Sequence, residues 1–197
     1  MKERSFDEEY YDRFYRDPGS SVADRRSIAR LGDMVCAYLK YLHLEVESVL
    51  DLGCGLGYWQ AVIHRHFPVA VYTGVELSDY LCRKYGWERG SVVDYRAREP
   101  VDLVICQGVL QYLNARDARR AMANLGRLTR GALYLEALTE SDWKQNCEQS
   151  VTDGDVYLRD AGFYLRALGK YFTSAGGGLF LHRDSGAVLF DLERGAR

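Results

Sequence analysis

Gly53, Gly55 and Gly57 stand at alternate positions just after the acid Asp51, in the run Val49-Leu50-Asp51-Leu52-Gly53-Cys54-Gly55-Leu56-Gly57-Tyr58-Trp59. Glycines lack Cβ, so the backbone can turn sharply and come close to a ligand. A helix beginning just beyond them would offer unpaired N–H groups at its start. The chemistry this suits is the holding of a small polar molecule against bare main chain. Further on, Tyr72-Thr73-Gly74-Val75-Glu76-Leu77-Ser78 puts a second acid, Glu76, at the end of an apolar run. A carboxylate there can accept both hydroxyls of a ribose. Spacing separates two kinds of ribose ligand: a dinucleotide site uses GxGxxG to admit a pyrophosphate, whereas the pattern here is GxGxG.

A parallel sheet is needed to bring these residues together. Residues 46–52, 70–76, 91–94, 101–107 and 132–138 read as strands. Helices at 27–43, 58–67, 79–85 and 115–129 alternate with them, the first marked by Ile28, Leu31, Val35, Leu39 and Leu42 at three- and four-residue intervals. Residues 139–154 are polar and aperiodic, and 156–172 reads as a helix. Two last strands, 179–182 and 187–192, flank a turn at Asp184-Ser185-Gly186 and are too closely linked for a parallel crossover. The expected fold is therefore α/β: a doubly wound, mostly parallel seven-stranded sheet with helices on both faces and a C-terminal antiparallel hairpin. One domain is expected over 1–197, with lid and helices in 1–45 and the ligand-binding core in 46–197. Phe6, Tyr10, Tyr11 and Phe14 share a face of a short amphipathic helix, and Asp17-Pro18-Gly19-Ser20 reads as a turn.

An acid followed by GxGxG resembles motif I of the class I S-adenosylmethionine-dependent methyltransferases. The resemblance implies that Gly53, Cys54, Gly55 and Gly57 lie along the amino-acid half of S-adenosylmethionine. It implies that Asp51 orients the loop or meets the ammonium group through water, that Glu76 takes the ribose, and that Leu77 covers one face of the adenine. Gly90-Ser91-Val92-Val93-Asp94-Tyr95 resembles the next motif, which gives Asp94 the adenine amino group and the Val93 or Tyr95 backbone the ring edge. Trp87 could reach this region but reads as a core filler. Asp102–Leu113 resembles the fourth-strand motif, with Gln107 under the methionine portion and Tyr112 beside it. There the sequence departs from the family: Gln111-Tyr112 replaces a frequent His, so a histidine base is not carried over. The resemblance spans roughly residues 48–138 and implies in-line methyl transfer that leaves S-adenosylhomocysteine.

Such a transfer asks the protein mainly to hold the nucleophile in line and exclude water. A general base is required only for a protonated acceptor, so no catalytic residue is assigned. The acceptor pocket is expected from the loops after the fourth and fifth strands and the N-terminal segment. That nominates Tyr112, Glu136, Glu140, Trp143, Asn146 and Asp153, with Tyr11 and then Tyr15 as lid residues. Arg13 and Arg16 read as solvated charges.

Composition narrows the partners. The 197 residues are 47% hydrophobic, with 26 Lys and Arg against 28 Asp and Glu. That balance argues against a nucleic-acid partner and for a small-molecule acceptor. Five widely spaced cysteines without a CxxC pair suggest neither disulfides nor zinc. His64 and His66, two apart on a helix, do not share a face, so no metal is expected. Without an apolar leader or a long apolar run, a cytoplasmic monomer or homodimer is expected. Two other readings stay open: a non-catalytic binder of S-adenosylmethionine or S-adenosylhomocysteine, and a nicotinamide-dependent oxidoreductase, which the glycine spacing disfavours. A macromolecular acceptor would need a basic groove beside the cofactor.

Overall fold

The computed structural model describes residues 6–16 and 25–195, with the backbone alone at Tyr15 and Arg16. The 17–20 turn and the side chains of Tyr15 and Arg16 therefore lie outside the described residues. The chain opens with α1 (Glu8–Tyr11), capped by the Asp7 carboxylate, which accepts from Tyr10 N–H; a single π turn at Asp12–Arg16 follows. Next come α2 (Arg25–Tyr41), β1 (Ser48–Leu52), α3 (Tyr58–His66), β2 (Val71–Glu76), α4 (Asp79–Tyr85) and β3 (Glu88–Arg89). β4 (Val101–Gln107), α5 (Ala115–Leu128), β5 (Thr129–Glu136), α6 (Glu140–Gln145), α7 (Ala161–Leu168), β6 (Phe172–Gly176) and β7 (Leu179–His182) complete the order.

The strands form one seven-stranded sheet in the order β3-β2-β1-β4-β5-β7-β6. β1 to β5 run parallel, while β7 pairs antiparallel with both β5 and β6. Side chains that alternate along the central strand feed two cores. Leu103 and Ile105 pack with Val35, Leu39, Trp59 and Ile63 on the α2–α3 face. Val104 and Cys106 pack with Met122, Leu125, Tyr164 and Leu168 on the α5–α7 face. Burial on both faces is why β4 is an unbroken apolar run. At roughly 25 cal/mol per Å² of apolar surface, these two layers dominate the stability of the sheet. The strand order reverses between β1 and β4, which opens a crevice at the carboxyl ends of the strands.

Three elements differ from the sequence expectation. Residues 91–94 are a turn, not a strand: Tyr95 N–H donates to Ser91 O at 2.8 Å, and the short β3 lies just before it. Asn124, 1% exposed, pins this turn by donating Nδ2 to the carbonyls of Val92 and Tyr95. The expected 156–172 helix shrinks to α7, because the Asp160 carboxylate caps it and Gly169 ends it. Before it the chain is extended around buried Arg159, whose guanidinium donates to the carbonyls of Leu110, Leu113 and Tyr157. The antiparallel hairpin is present but uses a different pair of strands. It joins β6 to β7 through Gly176, Gly177 and Gly178, all with positive φ. Residues 187–192 form no strand, and Val188, Phe190 and Leu192 are exposed. In the polar 139–154 segment, α6 forms behind a capping box of Thr139 and Asp142.

Candidate active site

The glycine loop leaves β1 and is tied at once to its neighbour: the N–H groups of Gly53 and Cys54 both donate to Val75 O, at 2.8 and 3.2 Å. Gly53, Gly55 and Gly57 all have positive φ, a region that side chains rarely adopt. At Gly55, φ is +52° and an added Cβ would meet nothing nearer than 4.0 Å, so the missing side chain leaves open space. Gly57 is different. A Cβ there would lie 2.5 Å from the Trp87 ring, whose Nε1–H donates to Gly55 O at 3.0 Å. Trp87 is thus a buttress under the loop; the sequence reading placed it in the core.

Glu76 is 5% exposed and closes the other side of the loop. Its Oε2 accepts from Gly55 N–H at 2.9 Å, and its Oε1 accepts from Leu77 and Ser78 N–H at 2.7 and 3.0 Å. Three backbone donors hold the carboxylate in one orientation and still leave lone-pair capacity. Asp51, 2% exposed, accepts from the hydroxyl of Tyr72. Burial pushes its carboxyl up to about 7, the Tyr72 bond pulls it down, and the Glu76 charge raises it. The thiol of Cys54 is pushed far up by burial, so it is no nucleophile.

Across the crevice, Gln107 and Glu136 are register partners at the carboxyl ends of β4 and β5. The Trp59 indole N–H donates to Gln107 Oε1 at 2.8 Å, Gln107 Nε2 donates to Glu136 Oε2 at 3.1 Å, and the Tyr134 hydroxyl donates to the same oxygen at 3.1 Å. Above lies an aromatic lid. Phe6 packs edge-on against Tyr10 and Tyr112 at 5.1 and 5.5 Å, and the Tyr10 and Tyr112 hydroxyls are 2.9 Å apart. Ser78 O–H donates to Phe6 O, and Tyr80 O–H donates to Glu8, which clasps the lid to α4 and its cap.

Between these walls is a cavity of about 510 Å³, within the range of pockets that hold small molecules and cofactors. Of the sequence candidates, Tyr11, Asp51, Gly53, Cys54, Gly55, Glu76, Leu77, Gln107, Tyr112, Glu136, Asn146 and Asp153 line it. Gly57 caps α3 and does not line it. Val93 and Asp94 do not line it either, because the turn at Ser91 carries Asp94 out to solvent; Gly90, Ser91 and Val92 form that wall. Glu140 and Trp143 also stay outside, Trp143 lying against Gly154. Residues that the sequence reading did not nominate include Trp59, Ile28, Val109 and Asp142. Gln111 lines it too, as part of the Gln111-Tyr112 pair that replaces the family's frequent His. Trp59 follows the glycine loop by two residues, a cue that was available; the others depend on long-range packing. Among the described residues no cluster of His, Cys, Asp and Glu could hold a metal, and no helix is long and apolar enough to cross a membrane.

Residues 50–131 match the family model of a methyltransferase domain. The chain is 30% identical over 78 residues to trans-aconitate 2-methyltransferase of Klebsiella pneumoniae (strain 342), covering 36% of this chain and 31% of that protein. It spans about a third of the length of the curated relatives it matches. Magnesium protoporphyrin IX methyltransferase from Synechocystis PCC 6803, solved with bound SAH, superposes with a TM-score of 0.63 at 16% identity, over 90% of this chain and 94% of that one. A sugar N-methyltransferase from Streptoalloteichus superposes with a TM-score of 0.62 at 20% identity, over 87% and 91%.

Proposed function

We propose that this chain, which has the class I methyltransferase fold, transfers a methyl group from S-adenosylmethionine to a small-molecule acceptor. One observation carries the reading: a main-chain cradle left open at Gly55 lies directly beside the buried, fully oriented carboxylate of Glu76 on one wall of the cavity. The cofactor fits this site on chemical grounds. Gly53, Cys54 and Gly55 offer it bare backbone, and Glu76 has lone pairs left for the ribose hydroxyls. Asp51 offers a carboxyl for the ammonium group, and Leu77, Ser91 and Val92 offer a wall for the adenine. When bound, it supplies an electrophilic methyl group with a good neutral leaving group.

The chain's own residues then do the positioning. Gln107, held by Trp59 on one side and Glu136 on the other, sets the floor between cofactor and acceptor. The Tyr10–Tyr112 contact and the Phe6 ring close the top and keep bulk water out, which strengthens every polar contact inside. Tyr112, Glu136 and Asn146 face the acceptor side. Residues 1–45 act as lid and first helix, and 46–197 as the core. A cytoplasmic location agrees with the five free cysteines, and a monomer or homodimer completes the proposal.

Calorimetry with S-adenosylhomocysteine tests the reading. Expected is a dissociation constant in the micromolar range, about 8 kcal/mol of binding free energy, with no measurable competition by NADH. Binding of NADH in place of the homocysteine compound would replace this function with a dinucleotide-dependent one.

A further inference from the structure

Asp94, the residue that the family motif assigns to the adenine amino group, is exposed and lies off the cavity. The wall there is Gly90, Ser91 and Val92. Gly90 N–H is spent on Glu76 O at 3.0 Å, whereas the N–H groups of Ser91 and Val92 have no acceptor among the described residues. Val92 is buried, and a buried N–H left unpaired is costly. Such donors suit a ring nitrogen with a lone pair. What holds this wall lies far along the chain. Asn124, in the middle of α5, donates Nδ2 to Val92 O at 3.1 Å and to Tyr95 O at 3.0 Å, and its Oδ1 accepts from Arg96 at 2.9 Å. Asn is a weak helix former and its amide is costly to bury; these three bonds offset both costs. Tyr95 in turn folds back on the wall. Its N–H donates to Ser91 O, its hydroxyl donates to Glu88 at 2.7 Å, and a Cβ on Gly90 would lie 2.9 Å from its ring. One side chain of α5 therefore sets the position of the whole wall.

We propose that Asn124 is a positioning residue for the base of the cofactor: by holding Val92 and Tyr95 it presents the main chain of Ser91 and Val92 to the ring edge and sets selectivity for adenine. The inference rests on the S-adenosylmethionine reading and extends it to a residue outside the cavity. Adenine offers N1 as an acceptor, which a main-chain N–H can meet. Hypoxanthine carries a hydrogen on N1 and a carbonyl at C6, so the same N–H meets a donor and stays unpaired. A wall that has shifted loses this distinction. A donor that no longer reaches N1 neither favours adenine nor disfavours hypoxanthine.

Calorimetry on the full chain compares S-adenosylhomocysteine with S-inosylhomocysteine, which differ only in the base. The wild type is expected to prefer the adenine compound about tenfold or more. Asn124→Leu, which removes the amide at similar volume, should weaken S-adenosylhomocysteine about tenfold and lower the preference about fivefold. Arg96→Ala strips an exposed side chain whose bond steadies the amide, and should lower the preference about threefold. A role in stability alone would weaken both compounds equally and leave the preference as it was. Failure of S-adenosylhomocysteine to bind the wild type overturns the cofactor reading and this proposal together. Its binding without a preference for adenine overturns the proposal alone. So does a preference unchanged in Asn124→Leu, or unchanged in Arg96→Ala where Asn124→Leu does not fold.

Discussion

On the β2 side of the cavity the wall is main chain. Gly53 and Cys54 hang from Val75 O, Gly55 N–H points at Glu76, and the one large side chain, Trp87, sits behind the loop. On the β5 side the wall is side chain: Gln107, Gln111, Tyr112, Glu136 and Asn146, roofed by rings from the N-terminal segment. A wall of backbone reads what a cofactor always presents, at little cost in side-chain entropy. A wall of side chains can be changed residue by residue without touching the sheet. Under the proposed function, cofactor choice lies in the chain path and acceptor choice in a handful of replaceable groups.

The contrast can be broken most sharply at Gly55. Gly55→Val puts a β-branched residue at a positive φ and fills the open cradle, strain of about 1–3 kcal/mol before any clash with the ligand. Affinity for S-adenosylhomocysteine should fall by about a hundredfold or more by calorimetry, with the far-UV spectrum unchanged. Next in size is Glu76→Ala, which orphans the N–H groups of Gly55, Leu77 and Ser78. Each buried unsatisfied donor costs about 1–3 kcal/mol, so both binding and melting temperature should drop. Glu76→Gln should recover part of the melting temperature.

A middle-sized effect concerns Asp51. Its carboxyl is pushed up to about 7 in the folded chain, chiefly by burial, from an ordinary value of 3.8. The folded state then holds a proton that the unfolded state has released, so stability falls as pH rises from about 4 to 7 and levels off above. Urea unfolding at pH 5 and pH 8 should show this slope in the wild type. Asp51→Asn should flatten it.

Smaller is Trp87→Phe, which keeps the ring under Gly57 and removes the Nε1–H donated to Gly55 O. A loss of about 1 kcal/mol should appear as roughly fivefold weaker binding of S-adenosylhomocysteine. A larger loss of stability than of binding would mean that the loop is held mainly by packing. The smallest effect is expected from Tyr10→Phe, which deletes the lid hydroxyl facing Tyr112. A few-fold faster dissociation in stopped-flow would place the lid on the acceptor side of the contrast, and an unchanged rate would detach it.

Residues that act through local backbone chemistry were legible before the structure. Asp51, the glycine triplet and Glu76 could be found because turn geometry and strand ends depend on near neighbours in the chain, and the strands β1, β2 and β4 follow from short apolar runs. The hairpin was misplaced for an instructive reason. Residues 187–192 have an apolar strand-like pattern, yet only Ala187 and Leu189 pack on the core while Val188, Phe190 and Leu192 stay exposed, and no neighbouring strand pairs with them. The true turn, Gly176-Gly177-Gly178, carries its signal only in its glycines. Asp94 fell outside the cavity because Asn124, far along the chain, pins the Ser91 turn.

By itself, the order of residues determined a parallel α/β sheet and a glycine loop opposed by an acid, since both arise from periodicity and from the conformational freedom of residues close in sequence. Only the tertiary structure decided which side chains meet across the crevice. The Gln107–Glu136 pairing, the Tyr10–Tyr112 lid contact and the orphaned Gln111 oxygen depend on strand register and on segments brought together from distant parts of the chain, and no local pattern encodes such distances.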